Sequence, residues 1–330
     1  MWKVIQCAVQ GKSHIKDSIP CQDKTFYYTD DNITVTALAD GAGSANLSHF
    51  GADQITRFIC NDFVECFDLY FNNENGIAVK QIIDRKIKQQ ISEMAVDLDC
   101  KTSDLSSTLL VAAVKNNRYI LLHIGDGVIG YSKNSQIRVA TKPENGEFAN
   151  TTVFTTSSES IATMKLIKGY LNSIDGFILM SDGTEASLYN KKENCLSEAL
   201  GRLLKMLNYI PAEKMESQLT DSFNSVIKDA TIDDCSIVMM AYCQEFDGYL
   251  SLDEKDKYKL LEINQQLRVS KKTFNRLDTI LNTLIQPCSL KKIARLIHLR
   301  PKYAKKYLSR LMFLNYIEKR GFLYHTILIM

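Results

Sequence analysis

The segment TVTALADGAGSA, residues 34–45, is hydrophobic at first and then changes to Asp40, Gly41, Ala42 and Gly43. The alternation in its first half predicts a buried strand. An Asp-Gly pair after a strand is a common turn dipeptide, because both residues tolerate turn conformations. It is also a place where a strand would hold a carboxylate at its tip. The choice between the two depends on whether the rest of the chain repeats the arrangement.

Carboxylates stand at strand ends elsewhere in the chain. The motifs IGDG and MSDG end two further hydrophobic runs at Asp126 and Asp182. In the segment TIDDCSIVM, Asp233 and Asp234 come just before a strand, and Asp23 in PCQDKTFYY comes before another. Carboxylates at several strand ends of one sheet system can converge on a point, where they repel one another unless cations neutralise them. The set predicts a hard-metal site, although a single Asp-Gly pair is more typical of a turn.

The remaining periodicity predicts strands joined by hairpins, with long helices inserted in pairs. Strands are predicted at 3–9, 24–29, 33–40, 107–115, 118–124, 127–132, 176–181 and 235–242. Helices are predicted at 48–71, 77–98, 193–208 and 212–229. This order favours the α+β class, as a four-layer α-β-β-α sandwich of two antiparallel sheets flanked by helices. A parallel sheet is the weaker alternative, because repeated βαβ units are not evident.

Charge divides the 330 residues into two unlike parts. From residue 251 onward there are 17 Lys and Arg against 6 Asp and Glu, a net charge of +11, whereas residues 1–250 have 23 against 32, a net charge of −9. We therefore predict one domain over 1–245, a linker over 246–254 and a second domain over 255–330. The chain shows neither a signal-peptide pattern nor a membrane-length apolar run, which predicts a cytoplasmic protein without membrane contact.

The second domain is predicted to be helical, with a hairpin at its end. Helices are predicted at 255–267, 270–284, 289–297 and 301–315, with Ser289 capping the third and Pro301 opening the fourth. The sequence YIEKRGFLYHTILI would form a hairpin turning at Arg320 and Gly321. This order resembles a winged helix-turn-helix domain.

The predicted fourth helix carries a row of basic residues. They are Arg300, Lys302, Lys305, Lys306 and Arg310. They indicate binding of DNA or of a protein partner, two alternatives that the sequence leaves open. A further alternative is that these residues form only the solvated face of a helical appendage that packs on the first domain or mediates dimerisation.

The acidic motifs also occur in the order of a known family. In chain order they are GKSHIKDSIPCQD, LADGAGSA, SSTLLVAAV, HIGDGVIG, ILMSDGTEA and IDDCSIVMM. Over residues 1–243 the chain resembles the metal-dependent protein phosphatases of the 2C (PPM) family, of the bacterial type. The matches are to the family's N-terminal acidic motif, its Asp-Gly motif, its small-Ser-Thr strand, and its "GDS", "SDG" and "DN-x-T" motifs.

This resemblance implies a hydrolase that uses two Mn²⁺ or Mg²⁺ ions. Asp40 would bridge the ions, Gly41 would contribute its carbonyl, and Asp182 and Asp233 would complete the inner ligands. Asp23 would lie near the metals or act through water, so the implied catalytic set is Asp23, Asp40, Asp182 and Asp233. A bridging water would attack the phosphorus of a phosphoserine or phosphothreonine in a protein substrate, opposing a Ser/Thr kinase.

The chain departs from the family pattern at several positions. Ala42 occupies the place of a histidine that donates a proton in many members, so the general acid is unassigned. The arginine that binds substrate phosphate is missing before the "QD" pair, and His14 and Lys16 are the nearby candidates. Asp126 is a candidate for a third metal site or a structural residue, because the site's other ligand position is Ala186.

Two alternatives remain open at the level of the sequence. An alignment shifted by one residue would make Asp234 the ligand instead of Asp233. The chain would also fit a catalytically weak or inactive phosphatase-like regulator that acts through its winged helix. Retention of the motif aspartates favours the enzyme, and loss of the phosphate-binding arginine favours the regulator.

Overall fold

The computed structural model describes residues 1–143, 152–264 and 270–330. These residues form two compact units. The first consists of Met1–Lys205 and Met215–Cys243, and the second of Met206–Lys214 and Gln244–Met330. No helix in the described ranges combines the length and the apolar character that a membrane span requires.

The strands of the first unit are β1 Trp2–Val9, β2 Lys24–Thr29, β3 Ile33–Ala39, β4 Leu109–Lys115, β5 Arg118–Ile124, β6 Val128–Lys133, β7 Gln136–Thr141, β8 Lys165–Tyr170, β9 Ile174–Met180, β10 Tyr189–Asn190, β11 Cys195–Leu196 and β12 Cys235–Tyr242. Its helices are α1 Lys12–Asp17, α2 Ser48–Asn72, α3 Gly76–Asp97, α4 Ser160–Thr163, α5 Asp182–Leu188, α6 Glu198–Met206 and α7 Ala212–Ser225. The final residue of α6 and the first three of α7 fall in the second unit.

The long strands form two antiparallel sheets. Within the described residues, one sheet has the order β1-β12-β9-β6-β7 and the other β2-β3-β4-β5-β8. The sheets pack face to face through residues such as Leu38, Leu110 and Val238. These side chains point inward because alternate residues of a strand face the same side.

Helices cover the outer faces of the sheets. The helices α2 and α3 bury Phe63 and Ile83 against the second sheet. On the other side, Leu204 of α6 closes over Gly176 of β9, and Glu216 of α7 accepts a hydrogen bond from the amide of Gln6 at 3.0 Å. The predicted α+β class, with two antiparallel sheets flanked by helices, is confirmed.

Several boundaries differ from the prediction. The elements that were not predicted are α1, β7, α4, β8, α5 and the short pair β10 and β11. The helix predicted at 193–208 begins at Glu198, because residues 189–196 form the β10–β11 hairpin. The helix predicted at 212–229 ends at Ser225 and is followed by a single 3₁₀ turn. The strands β4 and β5 are joined by a tight hairpin, with Asn116 at a φ of 55°.

The second unit contains α8 Glu254–Leu260, α9 Ser270–Thr283, β13 Cys288–Ser289, α10 Leu290–Leu296, α11 Pro301–Phe313, β14 Ile317–Arg320 and β15 Leu323–Thr326. Its strands form an antiparallel sheet in the order β13-β15-β14. The hydroxyl of Ser289 accepts a hydrogen bond from the amide of Lys292, and Pro301 is the first residue of α11, as predicted. The helix predicted at 255–267 ends at Leu260, and the last part of that range lies outside the described residues.

The segment predicted as a linker, 246–254, lies within the second unit. Tyr249 is fully buried, its amide donates to the carbonyl of Ile329, and its hydroxyl donates to Asp278 at 2.8 Å. A buried tyrosine usually pairs its hydroxyl in this way, because an unpaired polar group away from water is costly. The predicted linker therefore contains a residue that anchors it within the second unit.

Candidate active site

The acidic strand tips converge at one edge of the sandwich. In the first sheet β9 lies between β12 and β6 and runs antiparallel to both. The end of β9 therefore lies beside the starts of its two neighbours. Asp182 follows β9, Asp233 comes shortly before β12, and Asp126 comes shortly before β6.

The second sheet brings its acidic residues together by the same geometry. The end of β3 lies beside the starts of β2 and β4. Asp40 follows β3, and Asp23 comes immediately before β2. An open cavity of about 260 Å³ is lined by Asp40, Asp126, Asp182 and Asp233. Asp23 lies beside it but is buried, with 1% of its surface exposed.

Burial and mutual repulsion act on these carboxyl groups. Burial, followed by the charge of Asp23, raises the pKa of Asp40 well above its usual range. Burial and the charge of Asp126 raise the pKa of Asp182. Burial raises the pKa of Asp23 to about 7, although the nearby hydroxyls of Ser181 and Ser236 act in the opposite direction. The cluster therefore disfavours full ionisation when only protein atoms surround it.

Threonines hold the backbone of Asp40 and the carboxylate of Asp126 in place. The amide of Asp40 donates to Thr108 Oγ1 at 2.9 Å, and the amide of Thr108 donates to the carbonyl of Asp40 at 2.8 Å. The hydroxyl of Thr152 donates to Asp126 Oδ2 at 2.5 Å. Thr108 belongs to the motif SSTLL, so the sequence offered a signal for it. Sequence reasoning missed Thr152, which belongs to none of the acidic motifs.

Gly41 must be a glycine because α2 begins directly against it. A Cβ atom at Gly41 would lie 2.9 Å from both Cβ and Oγ of Ser48. The absence of a side chain lets the backbone of Gly41 line the cavity together with Ala42 and Gly43. The Asp-Gly pair is therefore both a turn and part of the cavity wall.

The structure separates the roles of Asp233 and Asp234. Asp234 is 2% exposed, its Oδ1 accepts a hydrogen bond from the amide of Gly11 at 2.6 Å, and its Oδ2 accepts one from the amide of Gln22 at 2.5 Å. Asp233 is exposed and lines the cavity. Asp234 thus joins two loops, and Asp233 is the member of the pair that faces the cavity.

The two candidates for phosphate binding occupy different environments. His14 of α1 lines the cavity, and its Nδ1 lies 2.9 Å from Asp234 Oδ2. Lys16, on the same helix, is exposed and is not among the cavity residues. His49 lies in α2 with its ring 4.3 Å from that of Phe50, and burial lowers its pKa. Of these three residues, the structure brings His14 to the carboxylates of the cavity.

The region of the third predicted metal site contains an ion pair. Glu185 is 4% exposed and is paired with Lys191. Burial raises the pKa of Glu185, whereas Lys191 lowers it. The position expected to carry the other ligand beside Asp126 is Ala186, as the sequence shows. Asp126 instead accepts the hydrogen bond from Thr152.

The cavity suits a hard divalent cation by its chemistry. Within residues 1–143, 152–264 and 270–330, no three side chains of His, Cys, Asp or Glu are already drawn together as a ligand group. However, Asp182 Oδ1 is buried without a hydrogen-bond partner in these ranges. Carboxylate oxygen atoms that lack a hydrogen-bond partner are the kind of ligand that Mg²⁺ and Mn²⁺ prefer. The residues present fit such an ion.

The basic residues of the second unit do not all share one environment. Arg300, Lys302, Lys305 and Lys306 are exposed at the start of α11. Arg310 is not, because its Nη2 donates to the carbonyls of Leu261 and Glu262 at 2.9 Å. These carbonyls directly follow α8, where a helix leaves its last acceptors unpaired. Arg310 therefore stabilises the end of α8, and its contact with a partner stays a prediction.

The two-sheet sandwich and its cluster of carboxylates define the class of a metal-dependent hydrolase. The sequence profile of protein phosphatase 2C matches residues 10–224. The chain belongs to this family, and the prediction of a phosphoprotein phosphatase is confirmed at that level.

Relatives support the same assignment. The serine/threonine-protein phosphatase 3 of Escherichia coli K12 is 22% identical over 204 residues, which is 58% of this chain and 78% of the relative. The fold is similar to that of the serine/threonine phosphatase Stp1 from Staphylococcus aureus, with a TM-score of 0.51, 17% identity, and coverage of 73% of this chain and 95% of the other. It is also similar to the S. agalactiae serine/threonine phosphatase, with a TM-score of 0.51, 15% identity, and coverage of 74% and 100%.

Proposed function

We propose that the chain is a serine/threonine protein phosphatase that hydrolyses phosphoserine and phosphothreonine with two divalent ions, Mn²⁺ or Mg²⁺. The observation that carries this proposal is the convergence of Asp40, Asp182 and Asp233 on one cavity, from strand ends of two different sheets. These three carboxylates, with the carbonyl of Gly41, would hold the ions. When bound, the ions would supply an activated water and neutralise the charge of the phosphoryl group.

The remaining residues would support that arrangement. Asp23 lies buried beside the cavity and would contact the ions through water. Asp234 fixes the loop that presents Asp233, because its two oxygens accept hydrogen bonds from the amides of Gly11 and Gln22. The substrates would be phosphoproteins, and the opposing enzyme a Ser/Thr kinase.

Hydrolysis of p-nitrophenyl phosphate and of a phosphothreonine peptide tests the proposal. We expect activity on both substrates in the presence of millimolar Mn²⁺ or Mg²⁺. When EDTA removes the ions, the rate should fall to the uncatalysed level, because the water is activated only by the metal. Return of activity after Mn²⁺ is added back would exclude unfolding as the cause. Activity that persists in EDTA would reject the metal dependence of the reaction. Absence of activity at every metal concentration would reject the enzyme and favour the regulator.

For residues 255–330 we infer a winged helix-turn-helix module that binds a polyanion, with DNA as the first candidate. The order of α10, α11 and the β14–β15 hairpin supports this inference, and so does the local charge. Residues 289–330 contain 10 Lys and Arg against one acidic residue, Glu318. Glu318 is itself paired with Lys214 and Arg320. A protein partner would need a complementary acidic surface.

Salt dependence separates a phosphate-binding role from a structural one. The Lys305→Ala/Lys306→Ala double variant is expected to weaken binding to a duplex oligonucleotide and to reduce the slope of log K against log salt by about 2. Arg310→Ala is expected instead to lower the stability of the protein by about 1–3 kcal/mol, because two carbonyls lose their donor. Fluorescence anisotropy and thermal unfolding measure the two effects. Loss of binding with an unchanged slope in the lysine variant would contradict the DNA interface.

A further inference from the structure

We propose that His14 is the general acid of the reaction and that Asp234 is its positioning residue. This proposal rests on the proposed phosphatase function and assigns the proton donor for which Ala42 leaves no side chain. His14 would protonate the serine or threonine oxygen as it leaves phosphorus. Asp234 would act through His14, without touching the substrate.

The first step of the argument is the fixed orientation of the imidazole ring. Asp234 Oδ2 lies 2.9 Å from His14 Nδ1, and the carboxylate is itself held by the amides of Gly11 and Gln22. At this distance the carboxylate attracts a protonated Nδ1 electrostatically and so favours that tautomer, although the contact lacks the geometry of a hydrogen bond.

The second step is the tight attachment of α1 to the loop before β12. A Cβ atom at Gly11 would lie 2.3 Å from the carbonyl carbon of Asp233, so only a glycine allows this approach. In addition, the amide of Ser13 donates to the carbonyl of Ile232 at 3.0 Å. The segments that carry His14 and Asp233 are therefore joined at Gly11 and Ser13, directly before the histidine, which restricts the position of His14 relative to the carboxylates.

The third step of the argument is the direction of the second ring nitrogen of His14, Nε2. His14 lines the cavity that Asp40, Asp182 and Asp233 also line. Its side chain is 12% exposed, and Nδ1 is buried. Because Nδ1 faces Asp234, Nε2 is the nitrogen left to the cavity. A donor there would stand beside a phosphoryl group held by the carboxylate-bound ions.

The proposed step is balanced in protons and bonds. The attacking water forms a new P–O bond while the bond from phosphorus to the serine or threonine oxygen breaks. One proton of this water passes to solvent, and the other stays on the inorganic phosphate. The leaving oxygen takes the proton from His14 Nε2, and the electron pair of that N–H bond stays on the ring. His14 then recovers a proton from solvent. General-acid catalysis of this kind contributes about 10²–10⁴-fold.

The competing role for His14 is hydrogen bonding to the substrate phosphate. A phosphate ligand would serve every substrate, because all phosphate monoesters present the same oxygens. A general acid would matter for a serine or phenol leaving group and little for p-nitrophenolate, which leaves without protonation. The dependence on the leaving group therefore distinguishes the two roles.

The His14→Asn protein tests the proposal most directly. The amide nitrogen of asparagine can replace Nδ1 as a donor to Asp234, whereas nothing replaces Nε2. We expect the kcat of the Mn²⁺-loaded variant to fall by about 100-fold or more on a phosphoserine peptide and on phenyl phosphate. On p-nitrophenyl phosphate we expect a change of less than about threefold, since protonation adds little there.

A second variant separates proton transfer from hydrogen bonding. The side-chain amide of His14→Gln can donate a hydrogen bond from the position of Nε2 but cannot give up a proton. We expect it to be as slow as His14→Asn on the peptide. Asp234→Asn should show the same leaving-group pattern with a smaller loss. Asp17→Asn, an exposed change on the same helix, is the matched control and should match the wild type on all substrates.

Several outcomes would overturn the proposal. A loss of equal size on all three substrates, or recovery with His14→Gln, would make His14 a phosphate ligand. Wild-type rates in His14→Asn would remove it from the reaction. Calorimetric titration with Mn²⁺ should give the same affinity for His14→Asn as for the wild type, and a weakened affinity would make His14 a metal ligand. If the wild type shows no metal-dependent hydrolysis of p-nitrophenyl phosphate, the proposed function fails and this proposal fails with it.

Discussion

Asp40→Asn is expected to lose metal-dependent phosphatase activity by about 10³-fold or more, which corresponds to about 4 kcal/mol of transition-state stabilisation. The physical reason is the position of Asp40, whose carboxylate faces the cavity together with Asp182 and Asp126. The same substitution is expected to raise the melting temperature of the metal-free protein by about 2–4 °C, as a gain of about 1 kcal/mol does in a domain of this size. It removes one of several charges that repel one another.

Thermal unfolding with and without Mn²⁺ measures both effects. In the wild type, Mn²⁺ should raise the melting temperature by stabilising the folded state that binds it. In Asp40→Asn this increase should be absent or much smaller. The control is Asp221→Asn, since Asp221 is exposed on α7 away from the cavity residues. A metal-free Asp40→Asn protein that melts earlier, yet still responds to Mn²⁺ like the wild type, would show that Asp40 supports the fold and not the metal.

The sequence could predict the cluster of aspartates at one edge of the sandwich, because the end of a strand is recognisable from a few consecutive residues. A hydrophobic run that stops at an aspartate identifies both the strand and its tip, and antiparallel order then brings the tips of neighbouring strands together. For this reason Asp40, Asp126 and Asp182 could be placed before the fold was known. The long helices α2 and α3 were predictable for the same reason, since their periodicity extends over many turns.

Other features could not be predicted because the sequence pattern is too short, too weak, or fits two neighbouring residues equally well. The strand β8, KLIKGY, lies at a sheet edge and carries two lysines, so it lacks the hydrophobic run of a central strand. The helix α1 has six residues, too few to show a period. Asp233 and Asp234 are chemically identical neighbours. Only the folded structure shows that the amides of Gly11 and Gln22 bind Asp234, which leaves Asp233 for the cavity.

Gly183→Ala is expected to lower the stability of the protein by about 1–3 kcal/mol, because an overpacked contact forces the backbone to move. A Cβ atom at Gly183 would lie 2.0 Å from the carbonyl oxygen of Asp234. Gly183 directly follows Asp182, so the same displacement would change the spacing between Asp182 and Asp233. A shift of about 1 Å in a catalytic group can cost about 100-fold in rate. We therefore expect a loss of kcat at temperatures where the variant remains folded.

Gly76→Ala provides the matched control, because a Cβ atom at Gly76 would meet nothing within 4 Å. Gly76 begins α3, and alanine there should be neutral or stabilising by up to about 1 kcal/mol through the unfolded chain. Denaturant unfolding and p-nitrophenyl phosphate hydrolysis compare the two variants. If Gly183→Ala resembled Gly76→Ala in both measurements, the loop at 233–234 would be free to move away from α5. The carboxylates would then not depend on that contact for their spacing. A large loss confined to Gly183→Ala would instead show that a backbone contact, and not only the choice of acidic side chains, sets the geometry of the cavity.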